Sequence, residues 1–311
     1  MTERYVVFSG SCYCLSLVDF LYQHNKLAAV VLPTQEVAEN SDLAQLRKTL
    51  SQHQIPTIQY DNTNVSKCVS QLDELRVTSG LIYLFRHLIP QPLLSYFSHE
   101  LLNIHPGHLP TYRGSMPIFW QIAKGEKSAM LSLHRASENE DCGEIALQLE
   151  VPIHPFDTSQ CLFLKMSQAL PMLFERYQQL KMSGELHFAP QTGTGVTSKV
   201  QEHDLFIDWQ KMSSTEIVNL SRASNPEFGG SRVLIRGEAI NLLQATATAT
   251  RVKGIATGTI LASSQNNGLI IKTIDTAICL DILATQQGVF DGYRFATLFG
   301  LDAGMNLNQL M

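Results

Sequence analysis

Apolar residues follow two rhythms along the chain. Up to about residue 185, short unbroken apolar runs alternate with stretches in which apolar positions recur every three or four residues. Tyr5 to Phe8, Leu27 to Leu32, Thr57 to Tyr60, Gly80 to Phe85 and Leu101 to Ile104 predict buried strands, followed by Met130 to Arg135 and Glu144 to Ile153. Leu15 to His24, Asp42 to Gln52, Val65 to Val77 and about Thr158 to Met182 carry helical spacing, and another helix falls between Phe85 and Leu101. Unbroken apolar strands between amphipathic helices predict an α/β fold, a doubly wound and mostly parallel sheet covered on both faces. In such a sheet a ligand site is expected at the carboxyl ends of the strands.

The second rhythm begins past residue 204. A short helix is predicted from Ser214 to Ala223, stopped by Asn225-Pro226. Short strands with turn signals between them follow: Ser231–Ile235, Ala239–Gln244, Gly258–Leu261, Gly268–Lys272 and Ala277–Leu283. Five strands at that spacing predict a small β-barrel, with Gly288 to Tyr293 read as a turn that closes it. Between the halves, Glu185 to Asp204 is rich in Gly, Thr and Ser and reads as a linker. The expected organisation is a catalytic domain over 1–184, a linker over 185–204 and a second domain over 205–311.

At 311 residues, with 44% apolar and 16% charged, the chain has the length of about two domains and the composition of a folded one. No apolar run approaches the roughly 18–20 residues of a membrane-spanning helix. The N-terminus enters a strand directly, so neither a signal nor a transit segment is expected. Twenty-three basic against 28 acidic residues give −5, which offers no general footprint for nucleic acid but leaves a local basic patch open. Six scattered cysteines without a C-x-x-C spacing predict reduced thiols in a cytoplasmic protein, mostly filling the core. No Cys or His pair has zinc-ligand spacing, so no metal is expected.

The stretch from Leu101 to Ile153 carries the chemistry. On an extended strand Asn103 and His105 point to the same side, an amide beside an imidazole. Pro106 and Pro110 stiffen the loop that follows. Asp141 lies in a Gly-containing turn, expected at a neighbouring strand end. An amide, an imidazole with an ordinary pKa of about 6.5 and a carboxylate suit attack of an amine on a carbonyl. The donors steady the oxyanion and the imidazole handles the proton. The spacing is equally that of a loop whose Asn and Asp cap turns and whose His satisfies a carbonyl.

The run Asn103-x-His105-Pro106-x-x-Leu109-Pro110-x-Tyr112-Arg113-Gly114-x-x-Pro117, with His134-Arg135 and Asp141-x-Gly143-x-Ile145, resembles the signature of the 10-formyltetrahydrofolate-dependent formyltransferases. That family includes methionyl-tRNA, glycinamide ribonucleotide and amino-sugar enzymes. The resemblance implies a Rossmann-like sheet that holds a folate, 10-formyltetrahydrofolate as co-substrate, and Asn103, His105 and Asp141 as the catalytic trio. It places Phe85, Arg86, His87, Leu88, Glu140 and Gly143 on the folate side, and Gly10, Gly107, His108 and Arg113 on the acceptor side. Phe8 to Ser11 falls at the family's first strand-to-loop turn. Phe206 to Trp209 and Ser224 to Pro226 look like the start of the OB-like C-terminal domain shared by the transfer-RNA and aminoarabinose enzymes. Glycinamide ribonucleotide transformylase normally lacks that domain. One departure is Gly107-His108, where the family usually has Ser-Leu. His108 is therefore either a substrate contact or an exposed loop residue. His134 reads as structural.

The resemblance also bears on the acceptor. Transfer-RNA enzymes usually carry a long basic insertion after the second strand, whereas Pro33 to Asp42 holds three acids and no base. From Asp204 to Met311 there are eight basic and nine acidic residues, a poor platform for phosphates. Phe85 to Ile89 is similar to the Arg-His-Leu-Ile run of the aminoarabinose-modifying enzyme. Arg86 and His87 then stand beside the folate or an anionic acceptor group, or serve as a structural ion pair and a helix cap. The expected acceptor is a small amine, a nucleotide-linked amino sugar. A hydroxylated ornithine, a charged tRNA and a catalytically silent formyltransferase fold are the alternatives. The oligomeric state is left open, a homodimer included.

Overall fold

The computed structural model describes residues 3–35 and 38–309. Glu36 and Val37, two residues of the acidic stretch weighed above, lie outside the described residues. The first sheet is built from β1 (Tyr5–Phe8), β2 (Leu27–Pro33), β3 (Thr57–Tyr60), β4 (Ser79–Ile82), β5 (Leu101–His105), β6 (Ser128–Arg135) and β7 (Ile145–Pro152). Its order is β3-β2-β1-β4-β5-β6-β7. The first five strands are mutually parallel, and β5–β6 and β6–β7 are antiparallel. The helices α1 (Leu15–Gln23), α2 (Asp42–Gln52), α3 (Val65–Glu74) and α4 (Gln91–Phe97) connect the parallel strands in turn. Burial explains the apolar runs: every residue of β1 and β4 is buried. The helices show the other pattern. In α2, Ser41 caps the first turn by accepting from Ala44 N (3.2 Å), and only Leu43, Leu46 and Leu50 are buried. Each such buried leucine contributes about 1.5–3 kcal/mol.

The chain packs as two compact units that do not follow its order. One takes Met1–Pro117, Ser128–Pro152 and Phe163–Thr197; the other takes Ile118–Lys127, Ile153–Leu162 and Ser198–Met311. Two helices, α5 (Pro117–Ala123) and α6 (Ser159–Ser183), start near these crossings. In the second unit, α7 (Ser214–Ser224) accompanies an antiparallel sheet in the order β10-β11-β12-β9-β8. Its strands are β8 (Ser231–Ile235), β9 (Glu238–Thr248), β10 (Ile260–Ser264), β11 (Gly268–Lys272) and β12 (Ala277–Thr285), with β13 (Gly288–Asp291) paired to β12.

Four expectations change. The five strands form, but among the described residues their pairing is an open path and no closed barrel results. Alternation shows that a strand has one buried face, not which edge it meets. Gly288 to Tyr293 is not a closing turn: it is β13 running into a helix, α8 (Gly292–Phe299), capped by Asp291. The fourth strand stops at Ile82 rather than Phe85, because Leu84 takes a left-handed φ of 52°. All six cysteines are free, yet only Cys14 and Cys68 are buried. No described helix is long and apolar enough to cross a membrane.

Candidate active site

Strand pairing brings the predicted trio together in the first unit. Asn103 is level with Ile82 and, through it, with Phe8, where β4 and β1 end. On the other side of β5, antiparallel β6 sets His134 directly opposite Asn103 and Ser132 opposite His105. Side chains alternate along a strand, so Asn103 and His105 share a face with both partners. A register shift after Leu133 opens the β6–β7 connection, and residues 136–144 return Asp141 to this face.

Asp141 joins the two halves of the site. Its Oδ1 accepts from Asn103 Nδ2 (2.9 Å), and its Oδ2 lies 3.2 Å from His105 Nδ1 and accepts from Gly114 N (2.9 Å). His105 is 5% exposed and Asp141 7%. Burial alone would raise the Asp141 pKa, but the His134 and His105 imidazoles and the Gly114 N–H outweigh it and hold the carboxyl below its usual range. Burial lowers the His105 pKa, against the pull of Asp141 and the Tyr112 carbonyl. At neutral pH the pair is therefore carboxylate and neutral imidazole. His105 Nε2 lies 2.6 Å from the Tyr112 carbonyl oxygen. Both ring nitrogens thus face acceptors, and only the imidazolium satisfies both at once.

A carboxylate can only accept, so the 2.9 Å contact fixes Asn103 with its nitrogen toward Asp141. The same nitrogen lies 3.1 Å from His134 Nε2. His134 Nδ1 lies 2.8 Å from the Arg135 carbonyl, and its Nε2 faces both Asn103 Nδ2 and, at 3.4 Å, Asp141 Oδ1. The Asn103 amide nitrogen thus stands between a carboxylate and an imidazole. His134 is part of the site, where the sequence read only a structural residue.

A match to known proteins now bears on this geometry. Residues 3–174, more than half of the chain, match the family model described as formyl transferase, and residues 199–290 match its C-terminal domain. The chain belongs to the formyl transferase family. It is 31% identical over 198 residues to a methionyl-tRNA formyltransferase of Thermotoga neapolitana, an alignment covering 62% of each chain. In fold it is similar to an N-formyltransferase from Helicobacter canadensis, solved with folinic acid and dTDP-3-aminofucose. There the TM-score is 0.67 at 19% identity, covering 93% of this chain and 100% of the other. HypX from Aquifex aeolicus, solved with tetrahydrofolic acid, gives 0.60 at 18% identity, covering 96% of this chain and 48% of that one. The chain thus spans 62% of the length of the transfer-RNA enzyme and about half that of HypX.

The remaining predicted residues stand in several different surroundings. Gly10 donates to the Leu84 carbonyl (3.1 Å), so the first and fourth loops meet where β1 and β4 end. Phe85 packs edge-on to Phe8 (5.6 Å between centroids), and His87 lies 5.3 Å from Phe85 and 5.4 Å from Tyr60. Arg86 and Leu88 are exposed, Leu88 by 67%. Glu140 is exposed beside Asp141. A side chain at Gly143 would overlap the Arg135 carbonyl, and one at Gly107 would stand 2.7 Å from His105 Nε2. His108 is exposed. Arg113 is turned elsewhere: its Nε donates to Gln191 (2.9 Å) and its Nη1 to the Gly193 carbonyl (3.0 Å).

Three residues of the site escaped the sequence reading. Ser132 Oγ donates to the Gly107 carbonyl (2.6 Å) and accepts from Gln148 Nε2 (2.8 Å), which holds the loop after His105. Their alternation on β6 and β7 was visible, but nothing marked those strands as facing the site. Gln191 lies in the stretch read as a linker and carried no signal.

Proposed function

We propose that this chain transfers the formyl group of 10-formyltetrahydrofolate to the primary amine of a small acceptor, a nucleotide-linked amino sugar. The observation that carries the reading is Asp141 set between Asn103 and a buried, neutral His105 where the parallel strands end. The Phe85, His87 and Tyr60 rings pack together just past the end of β4, a surface suited to a flat reduced pterin. The Tyr60 hydroxyl is buried without a partner among the described residues. Arg86 suits the carboxylates at the other end of such a ligand. Gly10 and His108 fall on the acceptor side.

Bound there, the formyl folate supplies an electrophilic one-carbon carbonyl that an amine attacks to give a tetrahedral oxyanion. Asn103 offers the amide hydrogen that its bond to the Asp141 carboxylate leaves over. His105 takes up the proton that the attacking amine loses. As the imidazolium it donates through Nδ1 to Asp141, leaving Nε2–H for the Tyr112 carbonyl or for the oxyanion in its place. When the oxyanion collapses, the bond from the formyl carbon to the folate nitrogen breaks, and His105 returns its proton to that nitrogen as tetrahydrofolate leaves. One such donor is worth roughly 3–4 kcal/mol of transition-state stabilisation.

The small-acceptor reading is supported by the acidic balance of the second domain and by the sugar nucleotide in the Helicobacter relative. The likeness to a methionyl-tRNA formyltransferase favours a second reading, transfer to a charged tRNA. A panel of amino-sugar nucleotides, small amines and initiator methionyl-tRNA separates them. Each is scored by gain of one formyl group and release of tetrahydrofolate, with a sugar nucleotide expected fastest. Faster formylation of the tRNA would replace the acceptor, and no release with any amine would leave a silent descendant of the fold.

A further inference from the structure

One side chain, far from the trio in sequence, ties the turn that carries Asp141 to the loop that caps its carboxylate. Gln191 stands on an extended segment fixed at both ends. Ala189 exchanges two backbone hydrogen bonds with Ile145 (2.8 Å each), and Thr197 donates to the Arg113 carbonyl through N (2.6 Å) and Oγ1 (2.8 Å). Between these anchors Gln191 Nε2 donates to the carbonyl oxygens of Asp141 (2.9 Å) and Gly143 (2.6 Å). Its Oε1 accepts from Arg113 Nε (2.9 Å), and the next residue, Gly114, donates its N–H to Asp141 Oδ2 (2.9 Å). The contacts close a ring around Asp141, gripping its backbone carbonyl from one side and its carboxylate from the other.

The chemistry of the ring asks for an amide. Glutamate only accepts, lysine and arginine only donate, and methionine of similar length does neither. Asp141 also sits at a φ of 52°, a left-handed conformation that a non-glycine residue keeps only where its surroundings over-determine it. Two carbonyls of this turn, including that of Asp141 itself, rest on Gln191.

We propose that Gln191 is a positioning residue for formyl transfer, holding Asp141 in register with Asn103 and His105 through its turn and through Arg113-Gly114. The inference rests on the transfer reading above, which gives Asp141 its role. It also accounts for Arg113, whose guanidinium serves the clamp.

Gln191→Met keeps the length of the side chain and removes all three hydrogen bonds. With the best acceptor of the panel, kcat is expected to fall at least tenfold while KM for the formyl folate stays within about twofold. In an Asp141→Asn background, where there is no carboxylate to position, the same substitution should change the residual rate less than about twofold. A kcat within about threefold of wild type, or equal losses in both backgrounds, overturns the proposal. If Gln191→Met does not fold, judged by near-ultraviolet circular dichroism, Gln191→Glu carries the same comparisons, because it also lacks both donors. If the wild-type protein formylates no amine, the transfer reading fails by itself, and positioning is judged by NMR titration of the His105 ring. That ring faces Asp141, His134 and the Tyr112 carbonyl, and its midpoint should fall as Asp141 draws away. An unchanged midpoint overturns the proposal.

Discussion

At His105, burial and partnership oppose one another, and burial prevails: the ring is neutral in a place built to welcome its cation. The acid limb of kcat/KM should therefore lie below the ordinary histidine value of about 6.5. A limb at or above that value would contradict the geometry. Stability follows the same sign. His105 and Asp141 both have folded pKa values below their free ones, so their contributions are complete above the free values and are lost as pH falls through the folded ones. The His105 loss sets in first, below about 6.5. Urea unfolding should show wild type losing more stability between pH 7.5 and 5.5 than His105→Gln, with equal losses as the contrary result. Asn103→Ala and Asp141→Asn should lower kcat by about 10²–10⁴, measured by tetrahydrofolate release. The two-residue spacing of Asn103 and His105 was legible in the sequence because a strand alternates its faces. The engagement of His134 was not, since cross-strand register depends on where the β5–β6 connection ends.

Elements set how tightly the Asp141 turn can be packed. Gly143 lies against the Arg135 carbonyl with no room for a methyl group. Gly143→Ala should therefore destabilise the protein by about 1–3 kcal/mol, as overpacking does, and lower transfer by displacing the turn. Chemical denaturation beside kinetics checks this, and a variant matching wild type in both would refute it. Elsewhere a signal was present and went unread: Asp291 caps α8 and Gly300 ends it in a left-handed conformation, an Asp-to-Gly frame around apolar Phe295 and Ala296. The end of β4 carried no such signal. Gly80 to Phe85 is apolar throughout, and apolar runs report burial without reporting the sign of φ at Leu84.

Over the whole molecule, the alternation of strands and helices announced the parallel sheet because both of its faces are covered. The boundary between the compact units was less visible, since packing crosses the chain several times. Within the second unit, Phe119 meets Phe228 (5.7 Å between centroids) and Trp120 Nε1 donates to the Ser198 carbonyl (2.8 Å). A fragment ending at Thr197 keeps Phe119 and Trp120 but loses these partners. It should bind a hydrophobic dye and unfold without a sharp transition. A fragment with cooperative unfolding and full transfer rates would contradict this.

The interleaving also limits how such proteins can be recombined. A chimera that joins residues 1–197 of this chain to the distal half of a relative leaves Ile118–Lys127 and Ile153–Leu162 native to the wrong parent. Exchange of acceptor preference by grafting should succeed only when those two islands travel with the graft, so that one crossover becomes five.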